Sequence, residues 1–301
     1  MSILAKYTTS YLGIASNNCG TYRQHVIGGK GVTICIAAIC EDGSTLVTAS
    51  DRAVTSSSIS IEFEHPAKKM TCLSDSCVAL TAGDALAYTE LFNRVYREIA
   101  DHRTPSVNEV VSKIKECYQE RRKEEIIENF LIPRGFKDFA SFYQAQQHLL
   151  PDLALTIQTQ IERYNYGLQI LVAGFNGGTA HIYEVNDPGT SRCFDSIGYH
   201  AIGSGLPHAM YTLISRNCNR DMSIEDALLI IYEAKKMAER APGVGSNATD
   251  LCIINSTKMY SSKSEHIKEL ETIYLKWIRA DPCWRNDATA FLKREGFRND
   301  E

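Results

Sequence analysis

GGKGVTICIAAICEDGSTLVTASDRAVT, residues 28–55, is the stretch on which the fold turns. Two apolar runs, 32–40 and 44–49, flank the polar triplet Glu41-Asp42-Gly43, and this pattern predicts a β-hairpin. Thr33 stands where the first strand begins, directly after the flexible approach Gly28-Gly29-Lys30-Gly31. A β-branched threonine is ordinary at a strand start, so the residue alone does not separate a packing role from a chemical one. Asp51-Arg52, at the end of the second run, reads equally as a surface turn pair.

Working outward, residues 69–73 and 77–81 form a second strand pair turning at Ser74-Asp75-Ser76. Ala82-Gly83-Asp84 then leads into a helix with an apolar stripe of Tyr88, Leu91, Phe92, Val95, Tyr96 and Ile99. Ser106 and Glu109 have capping-box spacing, and the helix they open carries Val107, Val110, Val111, Ile114, Cys117 and Tyr118 on one face until Pro133 and Gly135 stop it. Residues 136–166 read as a helical insertion rich in aromatics and glutamine. Strands follow at 168–175 and 179–185 across Asn176-Gly177-Gly178, then short β structure at 191–202 running into Gly203-Ser204-Gly205. Helices are expected at 208–215 and 223–241, a last strand at 249–255, and a polar helical tail at 265–278 and 287–295. Strands and helices segregate in blocks, which favours a layered α+β sandwich over a doubly wound parallel sheet.

The chain has 301 residues, 44% hydrophobic and 23% charged, enough apolar material for a sizeable core. A net charge of -4 and a pI near 6.1 give no electrostatic case for nucleic acid or an anionic membrane. No run approaches the roughly 18 apolar residues of a membrane span, and residues 1–13 lack the pattern of a secretory signal. The ten cysteines are scattered without a Cys-x-x-Cys pair or zinc-ligand spacing, so reduced thiols in a cytoplasmic protein, with no metal or cofactor, are expected. Residues 28–33 lack the preceding strand and following helix of a phosphate loop. Cys19-Gly20 lacks the strand that would follow an N-terminal cysteine nucleophile.

Several motifs, in order, resemble the proteasome family of N-terminal-nucleophile (Ntn) hydrolases: the Gly-Val-Thr opening, the Asp-Gly turn, Ala49-Ser50-Asp51-Arg52, Lys69-Met70, Ala82-Gly83-Asp84-Ala85, Ala173-Gly174-Phe175, Tyr183-Glu184-Val185, Ala201-Ile202-Gly203-Ser204-Gly205 and Ser223-Ile224-Glu225-Asp226-Ala227. The resemblance covers about 32–255 and implies a four-layer αββα sandwich, with residues 1–32 an extension or propeptide, 33–256 the Ntn-hydrolase domain and 257–301 a helical tail. It also implies roles. Thr33, freed by cleavage after Val32, would supply the nucleophilic hydroxyl, with its own α-amine as base. Lys69 would sit beside that hydroxyl, Asp51 would hold Lys69, the Gly83 N–H would stabilise the oxyanion, and Ser204 would hydrogen-bond near the amine.

The sequence departs from the family at three places. Val32 stands where processed members have glycine, and Ser50 competes with Asp51 for the acidic position. Pro242-Gly243-Val244-Gly245 stands where active members carry an Asp and a Ser-Gly-Gly, with Ser246 and Asn247 as partial substitutes. The reading is a threonine peptidase subunit acting on peptides or unfolded polypeptides within a homo-oligomeric ring, with room for an ATPase or other regulator. A non-catalytic structural or assembly protein, and a small-amide hydrolase on the same scaffold, stay open beside it.

Overall fold

The computed structural model describes residues 33–56, 61–64, 68–83, 87–100, 105–241, 244–245, 248–280 and 283–297. The expected extension over 1–32, including Val32, and the residues Asp84, Pro242, Gly243, Ser246 and Asn247 lie outside the described residues.

The opening hairpin forms as its pattern dictates. Strand β1 (Cys35–Cys40) runs through a single 3-10 turn at Glu41–Gly43 into β2 (Thr45–Asp51), with Cys35 opposite Ser50 and Cys40 opposite Thr45. Every residue of both strands is buried. An unbroken apolar run is what a strand covered on both faces requires, because alternate side chains serve different cores. Ile36, Ala38 and Cys40 join one cluster, and Cys35, Ala37 and Ile39 another.

After β3 (Ala53–Ser56) and β4 (Ile61–Glu64), which pair as a separate two-stranded ribbon, come β5 (Met70–Ser74) and β6 (Cys77–Gly83). Helices α1 (Ala87–Ile99) and α2 (Val107–Ile126) follow, then the insertion helices α3 (Phe139–Ala145) and α4 (Pro151–Arg163). Strands β7 (Leu168–Asn176), β8 (Thr179–Asn186), β9 (Thr190–Cys193) and β10 (Tyr199–Ile202) lead to α5 (Leu206–Ser215) and α6 (Ile224–Ala238). The described chain closes with β11 (Thr249–Asn255), β12 (Met259–Ser261), α7 (Ser264–Ile278) and α8 (Trp284–Arg294).

The architecture is α+β, with two five-stranded antiparallel sheets ordered β10-β1-β2-β11-β12 and β5-β6-β7-β8-β9. The inner faces of both sheets share one core, in which Ile39, Leu46 and Cys252 meet Leu80, Leu171 and Ile182. The outer face of the second sheet packs on α1 and α2 through Ala79, Ile170 and Val172 against Leu91, Val110 and Ile114. The outer face of the first packs on α5 and α6 through Ile36, Val47 and Leu251 against Leu213, Leu228 and Ile231. Each fully buried Leu or Ile contributes about 1.5–3 kcal/mol, so the alternation along the central strands drives the assembly of both sheets.

Local signals hold in detail. Ser106 Oγ accepts from the Glu109 N–H while the Glu109 carboxylate accepts from the Ser106 N–H at 2.7 Å. Ser223 Oγ accepts from the Asp226 N–H at 3.2 Å and caps α6. Four expectations need correction. The segment after Asp51 is strand rather than turn, and β11 is followed by one more strand. Tyr96 leaves the buried stripe of α1 and donates its hydroxyl to the Cys72 carbonyl at 2.7 Å. The tail is amphipathic: Leu270, Ile273, Tyr274, Ala288, Phe291 and Leu292 are buried in the same cluster as α6. The insertion has its own small core of Ile126, Leu131, Phe142, Ile157 and Ile161.

Candidate active site

The strand directions bring the candidate residues to one end of the two sheets. Thr33 precedes β1, Asp51 ends β2, and Ser204 follows β10. Lys69 precedes β5 and Gly83 ends β6. Antiparallel pairing puts the start of each strand beside the end of its neighbour, so positions far apart in sequence converge here.

Asp51 is fully buried and organises the cluster. Its Oδ1 accepts from the Lys69 ammonium at 2.8 Å and from the Ile34 N–H at 3.0 Å. Its Oδ2 accepts from the N–H groups of Ala53 at 3.1 Å and Gly245 at 3.0 Å. A carboxylate has about four lone-pair sites, and these four donors fill them. Asp51 N–H also donates to the Ile34 carbonyl at 3.2 Å, which fixes the strand immediately beside Thr33.

Lys69 crosses from the second sheet to the first. Its ammonium, in a residue only 8% exposed, donates to Thr33 Oγ1 at 2.5 Å as well as to Asp51. The Thr81 N–H and hydroxyl both donate to the Lys69 carbonyl, at 3.0 and 3.3 Å, so the backbone of Lys69 is held by β6. Ser50, the alternative acid position, is buried, and among the described residues its hydroxyl has no hydrogen-bond partner. Asp51, not Ser50, faces the lysine. The turn-pair reading of Asp51-Arg52 is overturned: Arg52 forms a bidentate pair with Asp250 at 2.8 and 2.6 Å instead.

Gly203-Ser204-Gly205 wraps the backbone of Thr33. Ser204 Oγ accepts from the Thr33 N–H at 3.2 Å, and the Gly205 N–H donates to the Thr33 carbonyl at 3.2 Å. Gly203 has a φ of 97°, and a Cβ there would stand 2.2 Å from the Thr33 carbonyl oxygen; only glycine permits this approach. Gly83 lies two residues beyond Thr81 on the same strand, with a φ of 123° and the Gly167 carbonyl where its Cβ would be, at 2.0 Å. Its conformation is therefore dictated by backbone packing.

Cys35 brings a thiol close to the site. Burial pushes its thiol well above the ordinary cysteine range, with the Lys69 charge only partly opposing that effect, and its Sγ–H points to the Thr81 carbonyl at 3.4 Å. Thr33 thus offers a hydroxyl to the ammonium, while Cys35 is held as a thiol.

Two contributors went unread in the sequence. Gly245 supplies a donor to Asp51 from the loop after α6, in a stretch notable only for its missing acid. Behind it, Lys235 is buried in α6, its ammonium donating to Glu239 Oε1 at 2.6 Å and to the Gly245 carbonyl at 3.2 Å. Burial lowers the pKa of this ammonium, and Glu239 opposes the shift. The available signal was a lysine at the spacing of Ile224, Leu228, Ile231 and Ala238, on an otherwise apolar helical face.

Among the described residues no group of three or more His, Cys, Asp or Glu is placed to hold a metal ion, and no helix is long and apolar enough to cross a membrane. Residues 142–254 match the model of the proteasome subunit family. That segment runs from α3 through most of β11 and contains Ser204, while Thr33, Asp51, Lys69 and Gly83 precede it. No curated protein matches the chain. The match over 142–254 and the paired antiparallel sheets support a proteasome-like, Ntn-hydrolase-like reading of the chain.

Proposed function

We propose that the chain is a threonine-type peptidase subunit of the proteasome kind, a four-layer αββα sandwich that works inside a cytoplasmic homo-oligomeric ring on peptides or unfolded polypeptides. The observation that carries this reading is the Lys69 ammonium 2.5 Å from Thr33 Oγ1, with Asp51 behind it. A hydroxyl is a weak nucleophile, and it needs both a base and a nearby positive charge to favour the alkoxide. The charge is Lys69. The base is the Thr33 nitrogen once hydrolysis of the 32–33 bond turns it into a primary amine; as a peptide nitrogen its lone pair is delocalised into the carbonyl. A free α-amine has a pKa of about 7.7–8.0, so near neutral pH a useful fraction accepts the hydroxyl proton.

In the proposed reaction, Thr33 Oγ1 adds to the scissile carbonyl as its proton passes to the Thr33 amine. The Gly83 N–H stabilises the oxyanion. The amine then returns the proton to the leaving nitrogen, leaving an ester on Thr33 that one water hydrolyses. Ser204 Oγ, already at the Thr33 nitrogen, orients the amine. An unselective amide-cleaving site has to be screened from folded proteins, which is the physical reason for a ring. The match of 142–254 to the proteasome subunit family fits oligomerisation.

Intact-mass measurement of the purified chain tests this: a mature chain beginning at Thr33 is expected, and one Thr33-linked adduct with a peptide epoxyketone, which needs both hydroxyl and amine. A full-length chain that takes no adduct overturns the peptidase reading. It would favour the second reading, a non-catalytic member of the same fold. One observation speaks for that alternative: apolar, buried Val244 stands in the stretch where active members carry an Asp and a Ser-Gly-Gly.

A further inference from the structure

We propose that Lys235 is a positioning residue for the Thr33 site, acting through Gly245 to set the orientation of Asp51 and thereby of Lys69. The proposal rests on the peptidase reading for its catalytic consequence, and on geometry alone for the positioning itself.

The contacts form one continuous series. Lys235 Nζ donates to the Gly245 carbonyl at 3.2 Å. The Gly245 N–H donates to Asp51 Oδ2 at 3.0 Å. Asp51 Oδ1 accepts from Lys69 at 2.8 Å, and Lys69 donates to Thr33 Oγ1 at 2.5 Å. Gly245 is thus pinned at both ends, its N–H on the carboxylate and its C=O on a second buried cation. It also lies against the strand: a Cβ on Gly245 would be 3.0 Å from both the Ala53 Cβ and the Ala53 nitrogen and 3.2 Å from Asp51 Oδ2. The loop therefore presents backbone, not side chain, to the acid.

The chemistry of this arrangement differs from a loop that carries its own acid. Here the loop residue facing Asp51 is a neutral glycine, and the polar anchoring comes from the preceding helix. Lys235 has no exposed surface, and its charge is matched by Glu239 one turn on. An ion pair withdrawn from water carries a large desolvation penalty, and apolar residues of similar volume are often as stable or more so. A methionine would fill the same position beside Ile231 and Ala238. What it would lack is the donor to Gly245, and that donor is what connects α6 to the site.

The test uses the full chain with Lys235→Met and Glu239→Gln together, so that no uncompensated charge is left buried, alongside Lys235→Arg. Two quantities are read: hydrogen exchange of the Gly245 amide, and saturation kinetics of Thr33 labelling by a peptide epoxyketone, separating kinact from KI. The double variant is expected to lose at least roughly tenfold in Gly245 amide protection. Its kinact is expected to fall roughly 10- to 100-fold, since small misplacements of reacting groups have effects of that order. KI should stay unchanged, and Lys235→Arg should restore kinact.

If the wild-type chain labels, then retained kinact or a still-protected Gly245 amide in the double variant overturns the proposal, whatever happens to its melting temperature. If the wild-type chain does not label, the peptidase reading fails, and amide protection alone decides: its loss upholds the positioning role and its retention overturns it. Should the double variant not fold, Lys235→Leu with Glu239→Gln, which likewise removes the donor to Gly245, is read by the same two measurements.

Discussion

Replacing Asp51 with asparagine isolates the electrostatic centre of the site, and its effect can be estimated before any activity is known. Asparagine keeps one acceptor oxygen and replaces the other with an NH2 group. Either orientation leaves two of the present donors facing a donor: Lys69 and Ile34, or Ala53 and Gly245. Each buried donor left unsatisfied costs about 1–3 kcal/mol, and removing one member of a buried ion pair about 3–5 kcal/mol. The two estimates overlap, because Lys69 is counted in both, so a net loss of about 4–6 kcal/mol is expected. An unfolding entropy of roughly 2 cal/mol/K per residue translates 5 kcal/mol into a fall of about 8 °C in Tm for a chain of this length. Lys69→Met should cost less, since Asp51 would keep three backbone donors.

The decisive assay is a double-mutant cycle by urea unfolding with Asp51→Asn, Lys69→Met and the pair. Because the pair removes both charges, it should be less destabilised than the two single effects added, with a coupling of about 2 kcal/mol or more. Additive effects, or an Asp51→Asn variant within 1 kcal/mol of wild type, would falsify the claim that a buried, fully bonded ion pair organises this end of the sheets. Neither outcome depends on whether Thr33 reacts.

Thr33→Ala should abolish both removal of residues 1–32 and epoxyketone labelling, while changing the Tm by only a few degrees; mass spectrometry and a thermal melt check both. Gly203→Ala should destabilise more than an ordinary turn substitution, because the new Cβ would stand 2.2 Å from the Thr33 carbonyl oxygen at a φ of 97°. Processing in that variant should slow even under conditions where it remains folded. Glu184 on β8 meets His200 of β10 at 3.2 Å, linking the two sheets. Burial raises its carboxyl, but the hydrogen bonds from His200 and Asn186 and the charges of His200 and Arg192 together hold it below the ordinary value of 4.5. With the folded pKa lowered, its stabilisation is fully present above pH 4.5 and disappears as pH falls through the lowered value. Urea midpoints measured from pH 6 to 3 should therefore fall less steeply in Glu184→Gln, and an unchanged slope would show that the pair carries no such linkage.

Much of the molecule was legible because its signals are local. Capping at Ser106 and Ser223, the Asn176-Gly177-Gly178 hairpin and the apolar stripe of α2 each depend on residues a few positions apart. The ribbon of β3 and β4 went unread although Ile61-Glu62-Phe63-Glu64 alternates apolar with polar residues, because the run is only four residues long and its partner, Ala53–Ser56, shows no such alternation. Within the site, Thr33, Lys69, Asp51 and Ser204 were named from motif order, and the structure joins all four through hydrogen bonds. The choice between Ser50 and Asp51 required three dimensions: adjacent strand residues point to opposite faces, and only the pairing of β1 with β2 decides which of them meets the lysine. Gly245 was illegible for a different reason. It contributes a backbone N–H, which every residue except proline has, so no side-chain pattern announces it.

The tail changes how α6 has to be understood. Read alone, Ile224-Glu225-Asp226-Ala227-Leu228-Leu229-Ile230-Ile231-Tyr232 has too many apolar residues for one stripe, and a helix apolar around its circumference has to be covered around its circumference. The sheet covers one side through Ile36, Val47 and Leu251; α7 and α8 cover much of the rest through Leu270, Ile273, Phe291 and Leu292. Polar contacts fix the angle, with Thr289 Oγ1 donating to Glu225 at 3.0 Å, Arg285 pairing with Asp226 at 2.9 Å, and Tyr232 donating to Glu271. The helix that carries Lys235 is thus clamped from the side away from the sheet. A loosened tail would free α6 to shift against β1 and β2, and with it the Lys235–Gly245 contact on which the orientation of Asp51 is proposed to depend. Substituting Phe291 with alanine, at a cost of about 3–5 kcal/mol for a buried phenylalanine, should therefore reduce protection of the Gly245 amide along with global stability. A variant that loses stability yet leaves that amide as protected as in the wild type would show that the tail and the site are mechanically independent.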